Sequence, residues 1–368
     1  EKSDVLAPLH SLLVALVRFR KQSTGRLLSA YREALSRAKM GNIELPLPFS
    51  YEEELVSVNR GARTVAEIQL EKQPVTLRFL LWDRRAWVLK HPNDYQYDIK
   101  HKATLRIEEF AQPQFFIQCL NPAEELLWFG NLIKYRLLQR DMPGNMTPED
   151  AQQRQQILAQ MGIVRGLSCT RDGILTPARD LTLVLCQAIA RTGTLVFDVE
   201  ALCRGVLFAS ALTTIALTNG SCMSELLQVS ADRFKVRPYV VQKDGSSIRE
   251  ERVMHLQWLL PKGKRTEAER KLFPISEWSW DLLREIAQEL KRTHQGRIPV
   301  VRPHPHNTKA EDLSPERYLF QWDASPDGKS GAFHPEDVAS LLRFILYGLD
   351  FRTREGEPFS VSVHLIRR

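Results

Sequence analysis

At 368 residues the chain is long for one hydrophobic core, and two domains are its natural organisation. Its 43% hydrophobic and 26% charged residues are those of an ordinary soluble globular protein. A net charge of +7 and a pI near 9.2 favour a polyanionic partner. The five cysteines (Cys119, Cys169, Cys186, Cys203, Cys222) are widely and irregularly spaced, which argues against a disulfide framework or a zinc ribbon and fits a reducing, cytoplasmic compartment.

From about Val5 to Met40 the pattern predicts a helix. Leu12, Leu13, Leu16 and Phe19, then Leu27, Leu28, Tyr31 and Leu35, lie on one side. Arg18, Arg20, Lys21, Arg26, Arg32, Arg37 and Lys39 make the other side basic, either a solvated face or a contact surface for a DNA backbone. The apolar run Leu9–Val17 is too short to span a bilayer, and no signal-cleavage pattern follows it, so no membrane association is expected. A breaker-rich linker follows from Gly41 to Pro48. From Tyr51 to about Arg140, short apolar runs such as Leu77–Trp82 and Ala86–Leu89 alternate with helical stretches.

One cluster in this region mixes aromatics (Trp82, Trp87, Tyr95, Tyr97) with bases (Arg84, Arg85, Lys90, Lys100, Lys102). Such mixing suits phosphate contact with stacking, or else a core strand that buries Trp82 and Trp87 and leaves the charges outside. Thr147-Pro148-Glu149-Asp150 has the chemistry of a helix start, and a domain boundary is expected between about Gly166 and Asp180. Beyond it come the apolar helices Leu181–Ala190 and Val199–Leu217, then an Asn219-Gly220 turn and a helix restarting at Ser224-Glu225. Trp258 to Ser276 reads as strand, basic turn, strand. Val338–Leu349 reads as an apolar core helix that includes Tyr347. His304-Pro305-His306, surrounded by prolines with no acid or cysteine beside it, does not make a metal site.

Three segments in order carry a resemblance: Asn219-Gly220-Ser221-Cys222-Met223-Ser224-Glu225-Leu226, the basic turn with Lys262 before Phe273-Pro274-Ile275, and His364-Leu365-Ile366-Arg367. Together they resemble the catalytic domain of the tyrosine recombinase (phage integrase) family, over about half the chain. The resemblance implies a mainly α fold with a small antiparallel sheet. Its parts would be an N-terminal basic helical arm (1–48), a core-binding-like DNA-clamping domain (49–172) and a C-terminally incomplete catalytic domain (173–368).

The implied activity is site-specific DNA breaking and rejoining through a phosphotyrosyl intermediate, with no cofactor. Arg367 would be an Arg clamp on the scissile phosphate and His364 the proton-transfer residue beside it. Lys262 would protonate the leaving 5′-oxygen, with Lys264 as second choice, and Glu225 would orient the site. Lys264 and Arg265, with Arg84, Arg85, Lys90, Lys100 and Lys102, would contact double-stranded DNA. The implied partners also include further copies of the chain or other recombinase subunits.

Cys222 stands where the family carries its first catalytic Arg. The later His or Trp and the nucleophilic Tyr of the family are expected beyond Arg368. The sequence as given is therefore expected not to cleave DNA. The alternative is a catalytically silent DNA-binding or accessory subunit of a recombination complex.

Overall fold

The computed structural model describes residues 2–58, 70–83, 115–120, 195–197, 199–243, 247–258, 271–303, 314–322 and 331–333, with single positions at 67, 86, 90, 335, 338, 341, 342, 345 and 366. These residues form a mixed fold of helices and antiparallel sheets. The chain divides into two compact units, one of residues 1–206 and 343–360, the other of residues 207–342 and 361–368.

The first unit starts with helix α1 (Lys2–Met40). Leu9, Leu13, Leu16, Arg20, Leu27, Tyr31, Ala34 and Ala38 are buried along it, at steps of three, four or seven residues that keep them on one face. Arg20 falls in this apolar register. Its side chain is fully buried, and its Nε–H donates to the Ile345 carbonyl at 3.0 Å. The expected basic face therefore loses one of its seven members to the core. Of the rest, Arg26 pairs with Glu53, Arg32 lies 3.5 Å from Glu200, and Lys39 sits 5.3 Å from the Phe115 ring centroid.

Strands β1 (Leu47–Val58), β2 (Leu70–Asp83), β3 (Phe115–Cys119) and β4 (Leu195–Phe197) build one antiparallel sheet in the order β1-β2-β3-β4. The β1–β2 pairing runs from Leu47 opposite Leu81 to Val58 opposite Leu70. Short apolar runs alternating with helices were expected here, and the difference has a local cause. Leu47, Phe49, Tyr51 and Glu53 alternate along one face, and the acid at the fourth place hides a period of two.

That acid is Glu53, buried among hydrogen-bond donors. Ser23 Oγ donates at 3.0 Å, Arg26 Nε at 2.9 Å and the Glu54 backbone N–H at 2.8 Å. A buried carboxylate is tolerable only when its oxygens are satisfied in this way. On the same face Phe79, paired opposite Phe49, stacks on it with centroids 5.3 Å apart.

The second unit holds most of helix α2 (Val199–Asn219), the one-turn helix α3 (Met223–Leu226), the sheet β5 (Phe234–Lys243), β6 (Ser247–Trp258), β7 (Lys271–Pro274), and helix α4 (Glu277–Thr293). The window Leu202–Asn219 is apolar and long enough to cross a membrane, but 72% of it is buried inside the fold, as in a core helix. Phe208 meets Phe320 and Phe333 edge-on, at 6.3 and 5.1 Å. Ser276 caps α4 by accepting from the Ser279 N–H, and Leu282, Leu283, Ile286 and Leu290 bury one face of that helix. A short pair, β8 (Gln321–Trp322) with β9 (Gly331–Ala332), completes the described strands.

Two crossed ion pairs fasten the single-turn 3-10 helix Ala231–Arg233 to the segment before β8: Arg233 to Glu316 and Arg317 to Asp232. The Arg317 guanidinium hydrogen-bonded to Asp232 holds that carboxyl below its ordinary value of 3.8, with burial working the other way. A depressed folded-state pKa adds stability above the unfolded-state pKa, and that stability is lost as pH falls through the folded value. Asp232→Asn should therefore be less stable than the parent near neutral pH. The gap should close on acidification through the range below 3.8, as followed by urea unfolding at a series of pH values. A gap that stays constant with pH would contradict this.

Candidate nucleic-acid interface

The turn between α2 and α3 is built from backbone requirements first. Asn219 is the last residue of α2, and Gly220 adopts φ of 62°, the left-handed conformation that commonly ends a helix and that glycine reaches without steric cost. Cys222 is extended (φ −85°, ψ 166°) and caps α3. Its carbonyl accepts from the N–H groups of Glu225 and Leu226, each at 3.0 Å. Glu225 Oε2 reaches back to accept the Cys222 N–H at 2.6 Å, the returning arm of a capping box.

Glu225 is thus engaged by its own turn. Cys222 is buried, 7% exposed, and its Sγ lies 3.1 Å from Ser224 Oγ. Buried Leu226 and Leu227 anchor the other side of the turn.

A contact distant in sequence ties this turn to the sheet. Asn219 Nδ2 donates to the carbonyl of Pro274, the last residue of β7. The Asn219 Oδ1 lies 2.9 Å from the Thr218 hydroxyl, which also lies 2.8 Å from the Thr214 carbonyl, so one proton serves both acceptors. β7 in turn pairs antiparallel with β6, from Trp258 opposite Lys271 to His255 opposite Pro274. The Ile275 N–H donates to the Met254 carbonyl at 2.9 Å, which continues that pairing beyond the strand. The expected second strand is β7, whereas Trp258, where the expected first strand begins, ends β6, and residues 259–270 lie outside the described residues.

Among the expected site residues, Cys222 and Glu225 occur together in this turn. Lys262, Lys264, Arg265, His364 and Arg367 lie outside the described residues, as do Arg84, Arg85, Lys100, Lys102 and Tyr347. Lys90 is exposed at a helical position, with its Nζ 6.0 Å from the Trp82 ring centroid. Trp82 is buried, and its indole N–H donates to Gln118 Oε1 at 2.9 Å. That tryptophan serves the core and is not available to stack on a base, so the aromatic half of the cluster is structural at this position. Ser224 and Asn219 are the participants that residue type alone did not single out. The dipeptide Asn-Gly signalled the turn, but not the partner of its side chain.

Comparisons of the chain with models of protein families, with curated proteins and with solved structures gave no match.

The turn depends on a residue without a Cβ at 220 and on the reach of Glu225. Gly220→Ala and Glu225→Ala should each lower stability by about 1 kcal/mol, the first through left-handed strain and the second through the lost cap. Urea-denaturation midpoints measure both. A Gly220→Ala protein as stable as the parent would contradict the turn geometry.

Proposed function

We propose that this chain binds duplex DNA through a phosphate-recognition site of the kind used by tyrosine recombinases, and that strand cleavage is silenced in it at Cys222. The contact between the Asn219 amide and the Pro274 carbonyl carries the reading. It joins the turn bearing Cys222 and Glu225 to the strand that follows the basic segment Pro261-Lys262-Gly263-Lys264-Arg265. These are two of the three segments from which the resemblance is drawn.

The chemistry needs positive charge fixed around a backbone phosphate, because charge develops on its non-bridging oxygens as the bond to the 5′-oxygen breaks. In this reading Arg367 binds two of those oxygens through its planar fork, His364 moves the nucleophile's proton, and Lys262 or Lys264 supplies one to the leaving oxygen. Arg265, with the bases Arg84, Arg85, Lys90, Lys100 and Lys102, adds backbone contacts along the duplex.

At position 222 a thiol replaces the second charged clamp. The loss of one preorganised donor to a transition-state oxyanion costs about 3–4 kcal/mol, or roughly 10²–10³ in rate. The burial of Cys222 against Ser224 favours the second reading, an accessory subunit of a recombination complex that binds DNA without cutting it.

Fluorescence anisotropy with a labelled duplex tests the binding. The affinity should fall linearly with salt on a log–log plot, with a slope of about −0.9 per phosphate contacted. Replacing Lys262, Lys264 and Arg265 with Ala should flatten it by about 2–3. No affinity even at low salt would overturn the proposal. A nicked suicide duplex, offered to the full-length protein that would supply the family's nucleophilic Tyr, then separates the two readings. A covalent adduct that appears with Cys222→Arg marks a silenced enzyme. Its absence in both proteins, with binding intact, marks the accessory subunit.

A further inference from the structure

We infer that Asn219 is a positioning residue for DNA binding: its side-chain amide sets the Cys222–Glu225 turn against the β5–β6–β7 sheet, so that both meet one stretch of DNA backbone as a unit. The role in binding rests on the DNA reading above. The mechanical role does not.

Three observations converge on this residue. It is the last residue of α2, followed by the left-handed Gly220, so the chain changes direction immediately after it. Its Nδ2 donates to the Pro274 carbonyl, at the point where β7 ends and the chain passes through Ile275 and the capping Ser276 into α4. Its Oδ1 faces the Thr218 hydroxyl at 2.9 Å. The Pro274 carbonyl can only accept, so it fixes the amide with its NH₂ group toward β7, and the Thr218 proton, shared with the Thr214 carbonyl, adds to that orientation. Among the described residues the other hydrogen bonds of the turn are local: the Cys222 N–H to Glu225 Oε2, the Glu225 and Leu226 amides to the Cys222 carbonyl, and Gln228 Nε2 to the Ser224 carbonyl. They fix the shape of the turn but not its position on the sheet. The Asn219 bond joins residues 55 apart in sequence and supplies that position.

An aspartate at 219 would keep the shape and lose the donor, placing a carboxylate oxygen against a carbonyl oxygen. An alanine would remove the tether without adding charge. A Thr218→Val change would leave the tether but remove the shared proton that supports the amide's orientation.

The experiment has two readouts on the parent, Asn219→Ala, Asn219→Asp and Thr218→Val proteins, at a temperature where each is fully folded by circular dichroism. The first is amide hydrogen exchange without DNA. With Asn219→Ala, exchange should speed up at both the Glu225 and the Ile275 amides, on the two sides of the tether, and not across α4. Thr218→Val should give a smaller change at the same amides, and it keeps the test decisive if Asn219→Ala loosens the whole unit.

The second readout is duplex affinity against salt. Asn219→Ala should bind roughly fivefold more weakly, the counterpart of one hydrogen bond of about 1 kcal/mol, with the salt slope unchanged because no charge is lost. Asn219→Asp should bind more weakly still. Unchanged exchange at both amides would overturn the tether itself. Faster exchange with unchanged affinity would overturn its role in binding. A parent protein that does not bind the duplex would overturn the DNA reading and leave the tether standing on the exchange data alone.

Discussion

The contact between the Asn219 amide and the Pro274 carbonyl is the constraint on which the functional reading depends. Without it the helix–turn–helix around Gly220 and the three-stranded sheet are two ordinary pieces of structure in one unit. With it, the turn carrying Cys222 has a fixed address beside the strand β7. Exposed hydrogen bonds are individually weak, about 1 kcal/mol net, so this one matters for geometry more than for stability. The stability of the unit comes from elsewhere, chiefly the buried face of α4, the Phe208–Phe320–Phe333 cluster and the ion pairs of Arg233 and Arg317.

Charge placement shows how many of the ionisable side chains serve the fold itself. Arg20 and Glu53 are both buried, each at a position that its element's periodicity assigns to the core. Both are satisfied by hydrogen bonds, Arg20 to the Ile345 carbonyl and Glu53 to Ser23, Arg26 and the Glu54 amide. A high net positive charge is therefore not a count of surface bases. Exposed bases are also engaged within the fold: Arg26 and Arg32 pair with acids, and Lys90 lies over the Trp82 ring.

Helices with a clean apolar stripe were legible in the sequence. The existence of α1, the extent of α2 and the glycine at its end follow from spacing and from the conformational freedom of Gly220, whereas the place of Arg20 on the buried face of α1 does not. The long β1–β2 hairpin was not legible, because Glu53 interrupts the alternation Leu47, Phe49, Tyr51 at the place where an apolar residue was expected. Trp82 is a core residue, its indole finding Gln118 on the neighbouring strand. At the candidate site, the Asn-Gly turn was readable from local chemistry. The tether to Pro274 was not, because a side-chain hydrogen bond across 55 residues leaves no periodic trace. Glu225 was read as an orienting acid, and its visible role is to cap its own helix.

The most direct test is amide hydrogen exchange of the parent protein with and without a saturating duplex, read at low salt. Added DNA should slow exchange together at the turn from Ser221 to Leu227 and along Lys271–Ile275, the two segments that the Asn219 amide links. Protection confined to α1, or absent everywhere while the duplex is bound, would contradict the account.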